Sequence, residues 1–317
     1  MNPAFVYTPD YDFALPTLPA GEEASNIKHF DGNRASRAWK LLCERDPLAE
    51  SALLVPEEIS DEDLALVHDA DYLMRLRSPE VLAAIYQMPA LANLPFEALD
   101  SLILRPQRFG AGGTLFAMRA AFERGLAVNL SGGYHHAKRA SGHGYCIFSD
   151  IAVAAEMARR DHDAQRVMVV DLDAHQGNGV SSIMTGNIGV AIFDMYNKDI
   201  YPDDSDARAG LRWDLPISSG CSSASYLELL QAELPRALDD FQPQLVFYNA
   251  GTDIVRGDPL GMLQVDSQAV HARDTFVLTQ ISQRQVPTVV TASGGYSDLS
   301  YRLLGELLCT ARELGSA

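Results

Sequence analysis

The sequence predicts an α/β fold, a single-domain, doubly wound, mostly parallel sheet with helices on both faces. Five apolar runs rich in β-branched residues each end in a small or polar residue: "LAVNLSGG" (126–133), "VMVVDLD" (167–173), "GVAIFDMY" (189–196), "LVFYNAG" (245–251) and "VPTVVTASGG" (286–295). Near-continuous apolar strands suit a sheet buried on both faces, hence a parallel one. Helical patterns lie between the runs, and alternation of strand and helix is the mark of this architecture. The third observation is bulk: 317 residues with 47% apolar content, and no polar linker or composition shift, fit one domain over residues 1–317.

Taken in order, the first hundred residues read as helical around 34–44 and 61–77, followed by a Pro-containing segment from Met88 to Pro106. Ser60 with Asp63 resembles a capping box ahead of the second of these. After the first strand, "SDIAVAAEMARR" opens with Ser149 and Asp150 as cap candidates. "SYLELLQAELPRAL" (225–238) has apolar residues at three- and four-residue spacing, "SQAVHARDTFVLTQI" (267–281) follows a cap candidate at Ser267, and a last helix is expected from Ser297 to Leu314. The long loop "DMYNKDIYPDDSDARAG" (194–210) is read as a site rim, since long loops in compact domains are seldom idle.

Charge and cysteine content exclude several classes. A formal net charge of −17 repels phosphate backbones, so nucleic acid is not expected as a direct ligand. Cationic peptides or polyamines would be attracted. Cys43, Cys146, Cys221 and Cys309 form no C-x-x-C pair and read as free thiols in a reducing compartment. The N-terminus lacks a basic stretch followed by an apolar one, and no segment approaches the roughly 18 consecutive apolar residues of a membrane span. A cytoplasmic location is expected.

In open parallel sheets ligands bind beyond the carboxyl ends of the strands, where adjacent loops diverge. The five strand ends here deliver His135 and His136, then Asp171, Asp173 and His175, then the "DMYN" loop, then Asp253, then Tyr296. Asp173 and His175 are two apart and share a face if the chain is extended, with Asp253 available from another strand. Two carboxylate oxygens and one imidazole nitrogen make a site for a divalent metal with an open position. A helix cap plus a buried ion pair would explain D-x-D-x-H alone, but burying so many ionisable groups without a charge partner is costly. The paired histidines after Gly132 and Gly133 suit the taking and returning of a proton near neutral pH. The Tyr296 phenol, again after two glycines, suits a donor to an oxyanion.

These motifs, "GGYHH", "GHGYC", "DLDAHQGNG", "DMYNKDIYP", "YNAGTDIVRGDPLG" and "SGGY", resemble in order those of the zinc-dependent histone deacetylase superfamily, with its arginase/deacetylase fold. "DLDAHQGNG" and "YNAGTDI" resemble the class IV branch in particular. The resemblance implies that Asp173, His175 and Asp253 bind one Zn²⁺, which shares its preference for such a donor set with ferrous iron. It implies that His136 is the main general base and acid, with His135 beside it, and that Tyr296 binds the acyl carbonyl. Asp171 would orient His135 and touch a structural monovalent cation such as K⁺. Gly144 and Tyr145 match a "GFC" motif that lines the acyl-lysine tunnel, with Tyr201 on an opposite wall and Gly294 in the same substrate-binding set. Asn178 stands where class I members carry an aspartate behind the second histidine, so His136 would have a neutral partner and a less elevated pKa. Tyr145 and Tyr134 replace more usual phenylalanines, His143 replaces a glycine and reads as a surface residue, and nothing matches the acidic rim residue of class I.

The expected activity is removal of an acyl group, acetyl or longer, from the side-chain amine of lysine. Small acylamines such as acetylpolyamines are the alternative substrate class. An arginase-like enzyme would need a second metal whose ligands are missing, and an acyl-lysine binding module without catalysis would be expected to lack one of the residues named.

Overall fold

The computed structural model describes residues 3–13 and 30–316. Eight strands, Ala4–Val6 (β1), Leu53–Leu54 (β2), Leu126–Asn129 (β3), Val167–Asp171 (β4), Val190–Asn197 (β5), Trp213–Ile217 (β6), Leu245–Asn249 (β7) and Thr288–Thr291 (β8), form one sheet. Its order is β2-β1-β3-β8-β7-β4-β5-β6 and every pairing is parallel. Five of these strands are the predicted apolar runs. The other three are short or half-buried at or near the edges, where the apolar signal is weakest.

The helices are Arg34–Arg45 (α1), Asp61–Leu64 (α2), Ala70–Arg75 (α3), Pro79–Ile85 (α4), Phe96–Leu99 (α5), Arg105–Arg124 (α6), Asp150–Asp161 (α7), Asn178–Met184 (α8), Ser223–Phe241 (α9), Ser267–Gln283 (α10) and Ser300–Ser316 (α11). The strand residues alternate between two cores, as a two-faced sheet requires. Phe5, Val128, Met168, Val170, Phe193, Val246, Tyr248 and Val290 face α1, α9, α10 and α11. Ala4, Val6, Ala127, Val167, Val169, Ile192, Leu245, Phe247 and Val289 face α6 and α7.

Three local expectations are corrected. The single helix expected over 61–77 is broken between α2 and α3, because the Asp69 amide bonds the Arg139 carbonyl at 3.0 Å and the His68 ring accepts from the Ser149 amide at 2.9 Å. Ser267 does not cap α10; the Asp266 side chain does, accepting from the Ala269 amide at 2.9 Å. The stretch through Pro106 runs on into α6, the longest helix described. Its three glycines lower helix propensity and hid it, and packing is their reason. A Cβ at Gly110 would meet the Tyr134 hydroxyl, and one at Gly113 the Tyr11 hydroxyl.

The register brings Asn129, Thr291, Asn249, Asp171 and Asp194 into one row across β3, β8, β7, β4 and β5 near their carboxyl ends. All five are buried. Thr291 Oγ1 donates to Asn249 Oδ1 at 2.8 Å, and Asn249 Nδ2 to Asp171 Oδ1 at 2.9 Å. This polar row is the floor on which the functional residues stand.

Candidate active site

Four of the five predicted strand ends, those of β3, β4, β7 and β8, contribute to one cluster. After β3, Gly132 and Gly133 adopt φ of 74° and 79°, the left-handed region where a side chain is strained. The turn they allow lays the two imidazoles side by side, with ring centroids 4.1 Å apart. Asp150, at the start of α7, holds this turn: its carboxylate accepts from the Gly133 and Tyr134 amides at 2.9 and 2.8 Å and from Thr114 Oγ1 at 2.6 Å. His135 Nδ1 lies 2.8 Å from Asp171 Oδ2, and His136 Nδ1 lies 2.8 Å from Asn178 Oδ1. Both are the partners that the family resemblance implies.

Asp173, His175 and Asp253 are buried and converge, with one candidate ligand atom from each within 4.8 Å of the others. His175 Nδ1 stands 3.0 Å from Asp173 Oδ1 and 2.9 Å from Asp253 Oδ2. The second oxygens are fixed by the protein: Asp173 Oδ2 accepts from Ser293 Oγ and the Gly294 amide, both at 2.8 Å, and Asp253 Oδ1 accepts from the Ala174 amide at 2.9 Å. A Cβ at Gly251 would strike Asp173 Oδ2, so glycine is what lets these strand ends close on each other. From below the sheet the fully buried Arg273 of α10 donates to the carbonyls of Leu172 at 3.2 Å and Gly251 at 2.6 Å, tying together the segments that carry the two acids. Two anionic oxygens and one imidazole nitrogen, held from outside and facing inward, fit a divalent cation of the zinc type.

The charges are strongly coupled. Burial pushes Asp253 up to about 7, reinforced by the facing Asp173 carboxylate. Burial opposes ionisation of Asp173 too, but His135 and His175 hold it well below the usual carboxylate range. His135 rises to about 9 against its burial because Asp171 and Asp173 face it. His136 goes the other way: burial, then the neighbouring His135 and His175, push it well below the ordinary value. The two rings of the pair are thus pushed in opposite directions. The Tyr296 phenol is raised well above its usual range by burial and by Asp173 and Asp253, and so stays protonated.

Above the cluster lies a cavity of about 140 Å³ whose lining includes Phe30, Tyr86, His136, Gly144, Tyr145 and Tyr296. Phe30 meets Tyr145 edge-on at 4.7 Å between ring centroids and Tyr296 at 5.5 Å. Gly144 abuts the His136 ring, where a Cβ would collide with it. Tyr145 has φ of 65°, a strained conformation for a side chain, and buried Gln107 supports it by donating to its carbonyl at 2.5 Å while accepting from the Ile147 amide at 2.8 Å. Gly294 also lines the cavity, with its amide committed to Asp173. Tyr201 is not in this lining; it is 43% exposed and packs edge-on against His136 at 5.1 Å. His143 is exposed, and its Nε2 lies 2.8 Å from Ser141 Oγ. The Tyr134 hydroxyl finds its partner in Ser131 Oγ at 3.0 Å.

Several contributors were not singled out in the sequence. Phe30 and Tyr86 come from segments remote from the motifs, and no local pattern marks them. Asp258, within "RGDPLG", accepts from the Tyr296 amide at 2.8 Å and so anchors the tyrosine loop. Asp194 lies beside Asp171, and burial followed by that carboxylate raises it well above the usual range. All four cysteines are free thiols. No helix among the described residues is long and apolar enough to cross a membrane.

An all-parallel α/β sheet carrying an Asp-His-Asp cluster and paired histidines at its carboxyl edge defines an arginase/deacetylase fold. The chain belongs to the histone deacetylase family, whose domain model matches residues 28–310. It is 36% identical over 303 residues to Histone deacetylase 2 of Arabidopsis thaliana, covering 96% of this chain and 77% of that protein. It is 31% identical over 266 residues to Polyamine deacetylase HDAC10 of Homo sapiens, covering 77% of this chain and 38% of that protein. The Histone deacetylase-like amidohydrolase of Pseudomonas aeruginosa is 29% identical over 310 residues, with 89% and 77% covered.

Proposed function

We propose that the chain is a zinc-dependent amidohydrolase that removes an acyl group from the side-chain amine of lysine. The observation that carries this is the buried Asp173, His175 and Asp253 cluster set beside two adjacent histidines, one bonded to Asp171 and the other to Asn178, at the base of an aromatic-walled cavity. Asp173, His175 and Asp253 would hold the zinc, which when bound supplies a Lewis acid for the acyl carbonyl. His136, bonded through Nδ1 to Asn178, would take at Nε2 a proton from the water that attacks the acyl carbon and return it to the amine as the amide bond breaks. His135, bonded through Nδ1 to Asp171, would polarise the same water from Nε2. Tyr296 donates from its phenol to the oxygen on which negative charge develops. Asp171 orients His135, and Gly144, Tyr145, Gly294 and Tyr201 shape the approach of the substrate. Asp171, with Asp194 beside it, is also where a structural monovalent cation such as K⁺ would be held.

The apolar inner wall, with Leu102, Ile103, Pro106 and Leu130, supports an acyl group longer than acetyl, as does the class IV character of "DLDAHQGNG". The volume, about 140 Å³, is on the order of ten times the space one buried water needs. A second reading, deacetylation of small acylamines, draws support from the relative named a polyamine deacetylase and from the net charge of −17. Both are tested by assaying zinc-loaded protein on lysine peptides of increasing acyl length and on acetylpolyamines, with and without a chelator. Chelator-sensitive turnover that favours acyl-lysine peptides is expected. Turnover confined to polyamines would move the assignment to the second reading, and turnover of neither class would end both.

A further inference from the structure

A base at His136 needs its Nε2 lone pair free, and the residue that secures this stands outside the motifs. Asn178 has Oδ1 2.8 Å from His136 Nδ1 and Nδ2 2.9 Å from Asp204 Oδ2. The same Asp204 oxygen accepts from Lys138 Nζ at 2.7 Å, and Asp204 Oδ1 accepts from the Ala207 amide at 3.2 Å. The Asp204 carboxylate is therefore locked on both oxygens, with its side chain 17% exposed. Burial works against its ionisation, but Lys138 and Asn178 hold it below the usual carboxylate range.

The logic of donors then runs one way. An ionised carboxylate only accepts, so Asn178 must turn its NH₂ to Asp204 and its oxygen to His136. An amide oxygen only accepts, so His136 must carry its proton on Nδ1, which leaves Nε2 as the bare nitrogen. Asp204 lies in the loop between β5 and β6, three residues from Tyr201, whose ring packs edge-on against the same imidazole. That loop thus reaches His136 directly through Tyr201 and indirectly, by way of Asn178, through Asp204. A carboxylate that class I relatives are expected to carry directly behind the histidine is here one hydrogen bond further out.

We infer that Asp204 is a positioning residue for His136: acting through Asn178, it fixes the orientation of the amide and with it the tautomer and aim of the ring. This rests on reading His136 as the base. If the Lys138–Asp204 pair were only a surface ion pair, the amide of Asn178 would be free to turn, and removing the charge at 204 would leave His136 indifferent.

The test uses the full zinc-loaded chain labelled with ¹⁵N-histidine, in which long-range ¹H–¹⁵N spectra distinguish the two tautomers and His136→Gln identifies the signals. Wild-type protein should show His136 protonated on Nδ1 alone. Asp204→Asn should populate the Nε2–H form and lower kcat about tenfold on an acyl-lysine peptide while KM stays within about twofold, a part of what general base catalysis contributes. Asn178→Asp combined with Asp204→Asn moves the charge inward, and should restore the single Nδ1–H form and bring kcat within about threefold of wild type. An Asp204→Asn protein that keeps both the Nδ1–H form and its kcat overturns the inference, as does a folded double variant that restores neither. A wild type with the Nδ1–H form that hydrolyses no acyl amine would sink the proposed function and leave the role of Asp204 standing.

Discussion

Tyr296 is the residue on which stabilisation of developing charge depends in the proposed mechanism. Its position comes from Asp258, which holds its amide, and from Phe30, which packs against its ring. Its proton is secured by burial and by the two acids nearby. Replacing it with phenylalanine removes the donor and little volume. Tyr296→Phe is expected to lower kcat by roughly 10² to 10³, the scale for one oxyanion donor, with zinc affinity unchanged. Steady-state kinetics at saturating zinc measure this, and a near-normal rate removes Tyr296 from the mechanism. The "SGGY" motif made the residue legible in the sequence, whereas its two supports were not, because neither is near it in the chain.

At the scale of elements, α7 shows how a local reading can name a residue and miss its work. Asp150 reads as a cap for its own helix. It sits at the N-terminus of α7, where the helix dipole favours a carboxylate, but its oxygens serve the turn that carries His135 and His136. Asp150→Asn exchanges an anion that accepts from two amides and a hydroxyl for a group with one acceptor oxygen. It should destabilise the chain by about 2 kcal/mol, typical of hydrogen bonds to a charged group, and lower kcat as the histidine pair loosens. Denaturant titration and kinetics on one preparation decide this: unchanged stability would show that the turn holds itself. The same lesson applies to α6, whose glycines look like loop residues until the tyrosines packed against them are seen.

For the whole molecule, Asp173 and His175 follow β4 while Asp253 follows β7, so the three meet only in the folded chain and the cation is expected to couple to global stability. A ligand that binds the native state alone at a hundredfold excess over its Kd adds about 2.7 kcal/mol. Zinc should therefore raise the midpoint of thermal unfolding of the wild-type chain, and Asp253→Asn, which removes one ligand charge, should abolish most of that rise. Calorimetry with and without zinc measures both. An equal rise in the variant would place the cation elsewhere.

The sequence by itself determined the central strands, the alternation of strand and helix, and the identities of the residues at the strand tips, because each leaves a local mark: an apolar run, a cap, a short polar motif after glycine. The partners of the two histidines, Asp171 and Asn178, were implied by the family resemblance those motifs carry. Only the tertiary structure decided the register that aligns Asn129, Thr291, Asn249, Asp171 and Asp194, the aromatic wall from Phe30 and Tyr86, the clamp of Arg273 beneath the acids, and the approach of Asp204 to Asn178. Each of these joins groups far apart in the chain. The polar row depends on β8 and β7 inserting between β3 and β4, which no periodicity within a segment records.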